Sequence, residues 1–182
     1  MKRLALVAIL VLSACSWERR VNKLSEEEFS HYYALKPFMT DDQRKEYLLL
    51  KTEQERNGWL KDHKAGTNAA ASEMSPTLWE MFYKYPDNIR DLIIDGAVQT
   101  GWTKDMVLMS WGPPFDKKRL TGRPAARSEM LVYKFEKHED GSVLVYVPGS
   151  KTEYKAVDRF MREVYLDNDT VTEIIEKSGW GD

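Results

Sequence analysis

The chain has few of the residues that mark a chemical site. Cysteine occurs once in 182 residues, at Cys15, so no disulfide can close within one chain and no pair of thiolates is available to a metal. The three histidines, His31, His63 and His138, lie far apart, and none stands at the i, i+4 spacing of a helical zinc motif. Each is read as a surface or capping histidine. Ten glycines are too scattered for a phosphate-cradling loop, and no serine sits in a Gly-x-Ser-x-Gly elbow. A strong basic excess is also missing, since 27 Lys plus Arg stand against 29 Asp plus Glu, which argues against nucleic acid as a partner. The residues therefore point to no catalytic set, no metal and no cofactor.

A long apolar run is lacking too. Leu4 to Leu12 gives nine consecutive apolar residues, where a membrane-spanning helix needs roughly 20. The run follows basic Lys2 and Arg3 and precedes small residues, which is the layout of a secretory signal. Leu12-Ser13-Ala14-Cys15 resembles the lipobox of bacterial lipoproteins. That resemblance implies cleavage of residues 1–14 and lipidation of Cys15, so that acyl chains anchor the protein stably in a membrane. Ser16, where Asp would signal inner-membrane retention, implies an outer-membrane lipid anchor, facing the periplasm. Removing residues 1–14 takes away Lys2 and Arg3 and no acidic residue, so the formal net charge moves from −2 to −4.

What remains reads as an α+β chain: N-terminal helices, then a helix pair packed on a three- or four-stranded antiparallel sheet. Residues 15–24 form the lipidated tether, 25–85 a helical extension and 87–178 a compact α+β domain. Ser25 with Glu28 and Thr40 with Gln43 have capping-box spacing, which predicts helices at about 26–35 and 41–62. The acidic clusters Glu26 to Glu28 and Asp41 with Asp42 fall in first turns, where the helix dipole favours them. Residues 64–75 are small and polar and read as a flexible segment. Ser75-Pro76 is expected to restart a helix whose packing face is Leu78, Trp79, Phe82 and Tyr83. Pro86-Asp87 then caps another, carrying Ile89, Leu92, Ile93 and Val98. Beyond Arg127 the period changes to that of strands, at 129–135, 143–147, 156–166 and 171–175, with turns at Asp140-Gly141 and Asp167-Asn168-Asp169.

Two segments stand out. In GWTKDMVLMSWGPP, residues 101–114, Thr103 is placed to cap a two-turn helix, with Trp102 and Val107 at the positions of a hydrophobic staple. Gly112, Pro113 and Pro114 stop it, and Trp111 lies in its last turn. The reading is structural: Gly101 and Gly112 are too far apart to cradle a phosphate. In FDKKRLTGRPAAR, residues 115–127, Lys117, Lys118, Arg119, Arg123 and Arg127 face a single Asp116, and the segment reads as a basic loop that could meet anionic lipid or an acidic partner.

The order Gly101, Thr103, Val107, Gly112, Pro114, followed by a Tyr133 strand and the terminal REVYLDNDTVTEII hairpin, resembles the BamE/SmpA-like domain of small outer-membrane lipoproteins. The similarity spans about residues 88–177. It implies a helix pair on a three-stranded sheet, no enzymatic activity, and a binding or scaffold role toward envelope proteins. The helical extension before Tyr85 lies outside that pattern, and Leu166 stands where the pattern commonly has an aromatic residue. GWTKD also resembles the Gly-Trp-x-Thr-Asp signature of GWxTD-domain bacterial proteins, with Lys104 in place of Thr. A periplasmic hydrolase is the alternative from another class, though no motif supports it.

Overall fold

A computed structural model describes residue 17 and residues 19–65, 75–148 and 156–180. The signal segment, Cys15 and residues 66–74 of the expected flexible segment lie outside the described residues. The chain divides into two compact units, Met1–Arg90 and Asp91–Asp182, and the fold is α+β, with helices preceding an antiparallel sheet.

The first unit holds α1 (Glu26–Leu35), a 3-10 turn (Lys36–Phe38), α2 (Asp41–Leu49), α3 (Glu53–Asp62) and α4 (Leu78–Tyr83), and α5 (Asp87–Ile94) begins in it. The expected capping boxes form at Ser25/Glu28 and Thr40/Gln43. The helix expected over 41–62 is two helices, because Leu50 turns extended and Thr52 starts a new one with Glu55 as its reciprocal partner. Glu55 accepts from the backbone N–H of both Lys51 and Thr52, so three residues of chain end one helix and cap the next. Likewise α4 starts at Leu78 under a Thr77/Glu80 box, and Ser75-Pro76 lies before it. The Pro76 carbonyl accepts from Ala65, and Lys64 bridges to Thr77, holding the two flanks of residues 66–74 side by side. Asp87 is the first helical residue of α5, while the Pro86 carbonyl takes the first helical bonds.

These short helices bury Leu35, Met39, Tyr47, Leu60 and Leu78 completely. Tyr47 sits edge-on to Trp59, and Phe82 edge-on to His31. Three polar side chains share this interior. Glu28 pairs with Arg56, whose guanidinium also donates to the Leu50 carbonyl where α2 ends. His31, 1% exposed, bonds Tyr83 Oη at 2.7 Å. Two of them correct the sequence reading: His31 is a core histidine, and Glu28 does more than face a helix dipole. His63 does sit at a helix end, stacked on Trp59 and bonded to its carbonyl.

In the second unit α5 ends at Ile94, and Gly96 at φ +72° turns the chain, so Val98 falls beyond the helix rather than on its face. α6 (Lys104–Trp111) has the expected Thr103 cap and a positive-φ stop at Gly112. The sheet has five strands, not three or four: β1 (Asp116–Leu120), β2 (Ser128–His138), β3 (Val143–Val145), β4 (Ala156–Asp167) and β5 (Thr170–Ser178), all antiparallel. The order is β1-β2-β4-β5, with β3 pairing the same strand, β2, as β1 does. The basic loop expected at 115–127 is thus partly an edge strand. Asn168 and Asp169 both have positive φ, the requirement of a tight two-residue hairpin turn.

Directly opposed residues of antiparallel strands share a face. Glu129, Leu131, Tyr133 and Phe135 therefore stand with Leu166, Val164, Arg162 and Phe160 on one face. Trp111 of α6 packs edge-on against Tyr133 and Phe135 there, and its Nε1 donates to the Gly96 carbonyl at 2.9 Å. Tyr133 Oη in turn donates to the Gly112 carbonyl at 3.0 Å. One tryptophan and one tyrosine thereby fix the C-terminal end of α6 to the sheet and to the turn at Gly96.

Candidate interaction site

The segment 101–104 is tied to the β4–β5 turn through backbone bonds. Gly101 N–H donates to the Val171 carbonyl, Val171 N–H to the Trp102 carbonyl and Lys104 N–H to the Asp169 carbonyl, each at 2.8 Å. Trp102 and Val107 are both buried, as a staple requires. Gly101, Trp102, Thr103, Val107, Trp111 and Gly112 thus serve the fold, and Pro113 and Pro114 carry the chain from α6 toward β1.

The same anchoring places the basic residues. Lys104, first in α6, and Lys117, on β1, both reach Glu129 of β2, the latter at 2.8 Å. Burial would raise the Glu129 pKa, but hydrogen bonds from the two ammonium groups outweigh it and hold the carboxyl below its usual value. The effect on the lysines differs. Burial lowers the Lys104 pKa, whereas the bond to Glu129 raises that of the more exposed Lys117. One carboxylate thereby clips the start of α6 to the first two strands.

Further along, Arg123 lies 3.5 Å from Asp167 and above the Tyr165 ring, and Arg127 pairs with Asp169 of the β4–β5 turn. The Arg127 backbone bonds the Asn168 side chain and accepts from its N–H. Of the five expected contact residues, Lys117, Arg123 and Arg127 are held in the sheet's own charge pairs. Among the described residues Lys118 makes one ion pair, with Asp116 at 3.9 Å, both side chains being at least half exposed, and its charge adds to those that lower the Glu163 pKa. Arg119 is exposed and has no ion-pair partner among the described residues. The five do not form one loop-borne patch: Lys117, Lys118 and Arg119 occupy β1, with Lys118 on the face opposite to the other two.

Sequence reasoning passed over a second polar cluster on the far face of β2. Glu136, fully buried, opposes Arg159 of β4 with 3.8 Å between carboxylate and guanidinium. Trp180 lies over Arg159 and donates to the Phe135 carbonyl, Tyr146 packs on Trp180, and Lys134 sits 4.0 Å over the Phe115 ring. The alternation of Lys134, Glu136 and His138 along one strand was available as a signal, but the partners Phe115, Arg159 and Trp180 are far away along the chain.

Among the described residues, no group of three or more His, Cys, Asp and Glu could hold a metal ion, and no helix is long and apolar enough to cross a membrane. An open concavity along α3 is lined by Glu53, Gln54, Asn57, Gly58 and Lys61, all from one helix. Comparison with known proteins found no matching family model, no matching curated protein and no matching solved structure.

Proposed function

We propose that the chain is a non-enzymatic lipoprotein, anchored through Cys15 at the periplasmic face of the outer membrane, that serves as a binding or scaffold component of an envelope protein complex. The observation that carries this reading is β1: an exposed edge strand bearing the adjacent cations Lys118 and Arg119 free of strong internal pairs, on a sheet in which Lys117, Arg159, Arg162 and Lys177 are engaged with carboxylates. An edge strand presents backbone donors and acceptors that a partner can satisfy. Two sequence features support the membrane half of the reading: the lipobox-like Leu12 to Cys15, and the Gly101, Thr103, Val107, Gly112, Pro114 order that resembles the BamE/SmpA-like domain.

The test joins anchoring to association. Cells expressing the chain are labelled with radioactive palmitate, and outer-membrane fractions are crosslinked before affinity purification. The reading expects label on the wild type, none on Cys15→Ala, and a discrete set of envelope proteins crosslinked to the anchored form. Label that persists in Cys15→Ala, or wild-type protein that stays in the soluble fraction, removes the anchoring half. Absence of any crosslinked envelope protein removes the scaffold half.

A further inference from the structure

We infer that β1 is an acceptor edge for an extended acidic peptide segment, which adds to the sheet beside Asp116–Leu120 as a further strand. The inference rests on the scaffold reading above and names the class of partner. It begins with position. β1 pairs with β2 alone, at the end of the strand order, so Lys117 and Arg119 turn their N–H and C=O away from the sheet, the Lys117 N–H being held by Asp116 Oδ1 until a strand replaces it. Five residues at about 3.4 Å each give an edge of roughly 17 Å, enough to order a short extended segment.

Charge selects what can pair there. β1 carries Lys117, Lys118 and Arg119 against Asp116. Lys117 is committed to Glu129, which leaves Lys118 and Arg119 as the cations open to an added strand, one on each face. A strand with acidic residues at adjacent positions would meet both, since adjacent residues point to opposite faces. The same charges act against a second copy of this chain, because two β1 edges side by side would set lysines and arginine against one another.

The other edges differ. On β5, Lys177 pairs with Glu163 at 2.6 Å and Glu176 with Arg162 at 3.0 Å, and the remaining charge, Glu173, is acidic, so no cation there is open to a carboxylate. β3 offers three residues, Val143–Val145, with no charge. An anionic bilayer could satisfy Lys118 and Arg119, but it has no periodic backbone to meet the outward N–H and C=O groups, and one of the two cations stands on each face. The geometry therefore favours peptide over lipid.

The test uses the full chain in detergent and a labelled peptide, acetyl-Glu-Val-Asp-Val-Glu-Asp-amide. Anisotropy measures affinity, and hydrogen exchange measures protection of the β1 amides. A second peptide of identical sequence carries N-methyl groups at alternate positions, which removes strand pairing and keeps the charge. The expected results are saturable binding, added protection confined to β1, at least about tenfold weaker binding of the methylated peptide, and a comparable loss in Lys118→Glu/Arg119→Glu. Circular dichroism establishes that this variant is folded, and the methylated peptide leaves the protein unaltered, so misfolding cannot imitate the result. Equal binding of both peptides, or no binding, overturns the inference. So does binding to phosphatidylglycerol vesicles that the charge reversal abolishes when the peptide does not bind. If the crosslinked envelope proteins stay with Lys118→Glu/Arg119→Glu, the scaffold reading survives and the acceptor-edge inference falls.

Discussion

The two units pair their buried carboxylates in different ways. In the helical unit, Glu28 and Arg56 are buried together, each nearly sealed from water, and His31 sits among the Trp79, Phe82 and Tyr83 rings. In the sheet unit, the carboxylates of Glu129, Glu136 and Glu163 are buried too, but their cationic partners Lys117, Arg159 and Lys177 stand about half exposed. A buried group has one set of partners and no solvent to replace them. An edge charge loses one partner and finds water. The difference predicts where substitution is severe and where it is mild.

The largest effect belongs to the buried pair. Arg56→Met leaves Glu28 charged and without its guanidinium, and should lower stability by about 3–5 kcal/mol in urea unfolding. Adding Glu28→Leu should return much of this, though not all, because Ser25 N–H then loses its capping carboxylate. Recovery that fails altogether would mean the pair matters for more than charge compensation.

The same region sets a pH dependence. Burial lowers the His31 pKa, so the neutral ring belongs to the folded state. Burial would raise the Glu28 pKa, but Arg56 and the Ser25 cap hold it down. Both groups have folded pKa values below their unfolded ones, so both contribute stability that is complete above the unfolded value and lost as pH falls through the folded one. His31 acts first, just below pH 6.5, and Glu28 at more acidic pH. The His31 slope is at most about 1.4 kcal/mol per pH unit. In His31→Phe the fall that begins below pH 6.5 should flatten, and a slope unchanged there would contradict the assignment.

Intermediate effects come from backbone positions. Gly112 has φ +74° and ψ −161°, a region that side chains avoid, and an added Cβ there would meet nothing. Gly112→Ala should therefore cost about 1–3 kcal/mol through conformation alone. Thr52→Ala removes one capping hydroxyl and should cost about 1 kcal/mol. At the mild end, Lys118→Ala on the sheet should change stability in urea unfolding by less than about 1 kcal/mol, despite its pair with Asp116. If it matched Arg56→Met instead, the contrast between the two units would be lost.

Much of the local grammar was legible in the residues. The capping boxes at Ser25 and Thr40, the stapled α6 between Thr103 and Gly112, and the Asn168-Asp169 turn follow from side chains within a few positions of the backbone groups they serve. The Thr52/Glu55 and Thr77/Glu80 boxes were equally local and could have been read the same way, which would have divided the helix expected over 41–62 and moved the next start to Leu78. β1 was less accessible. Its basic residues look like a solvated loop, and only pairing with β2 makes a strand of them.

The sequence by itself determined most helix starts and stops and the turn that closes the last hairpin, because those depend on neighbours close along the chain. Only the tertiary structure decided which charges are engaged. Glu28 meets Arg56 from 28 residues away, Lys104 and Lys117 converge on Glu129, and Lys118 and Arg119 are left at an edge. A charge's partner is chosen by proximity in space, and for these side chains spacing along the chain carries no record of it.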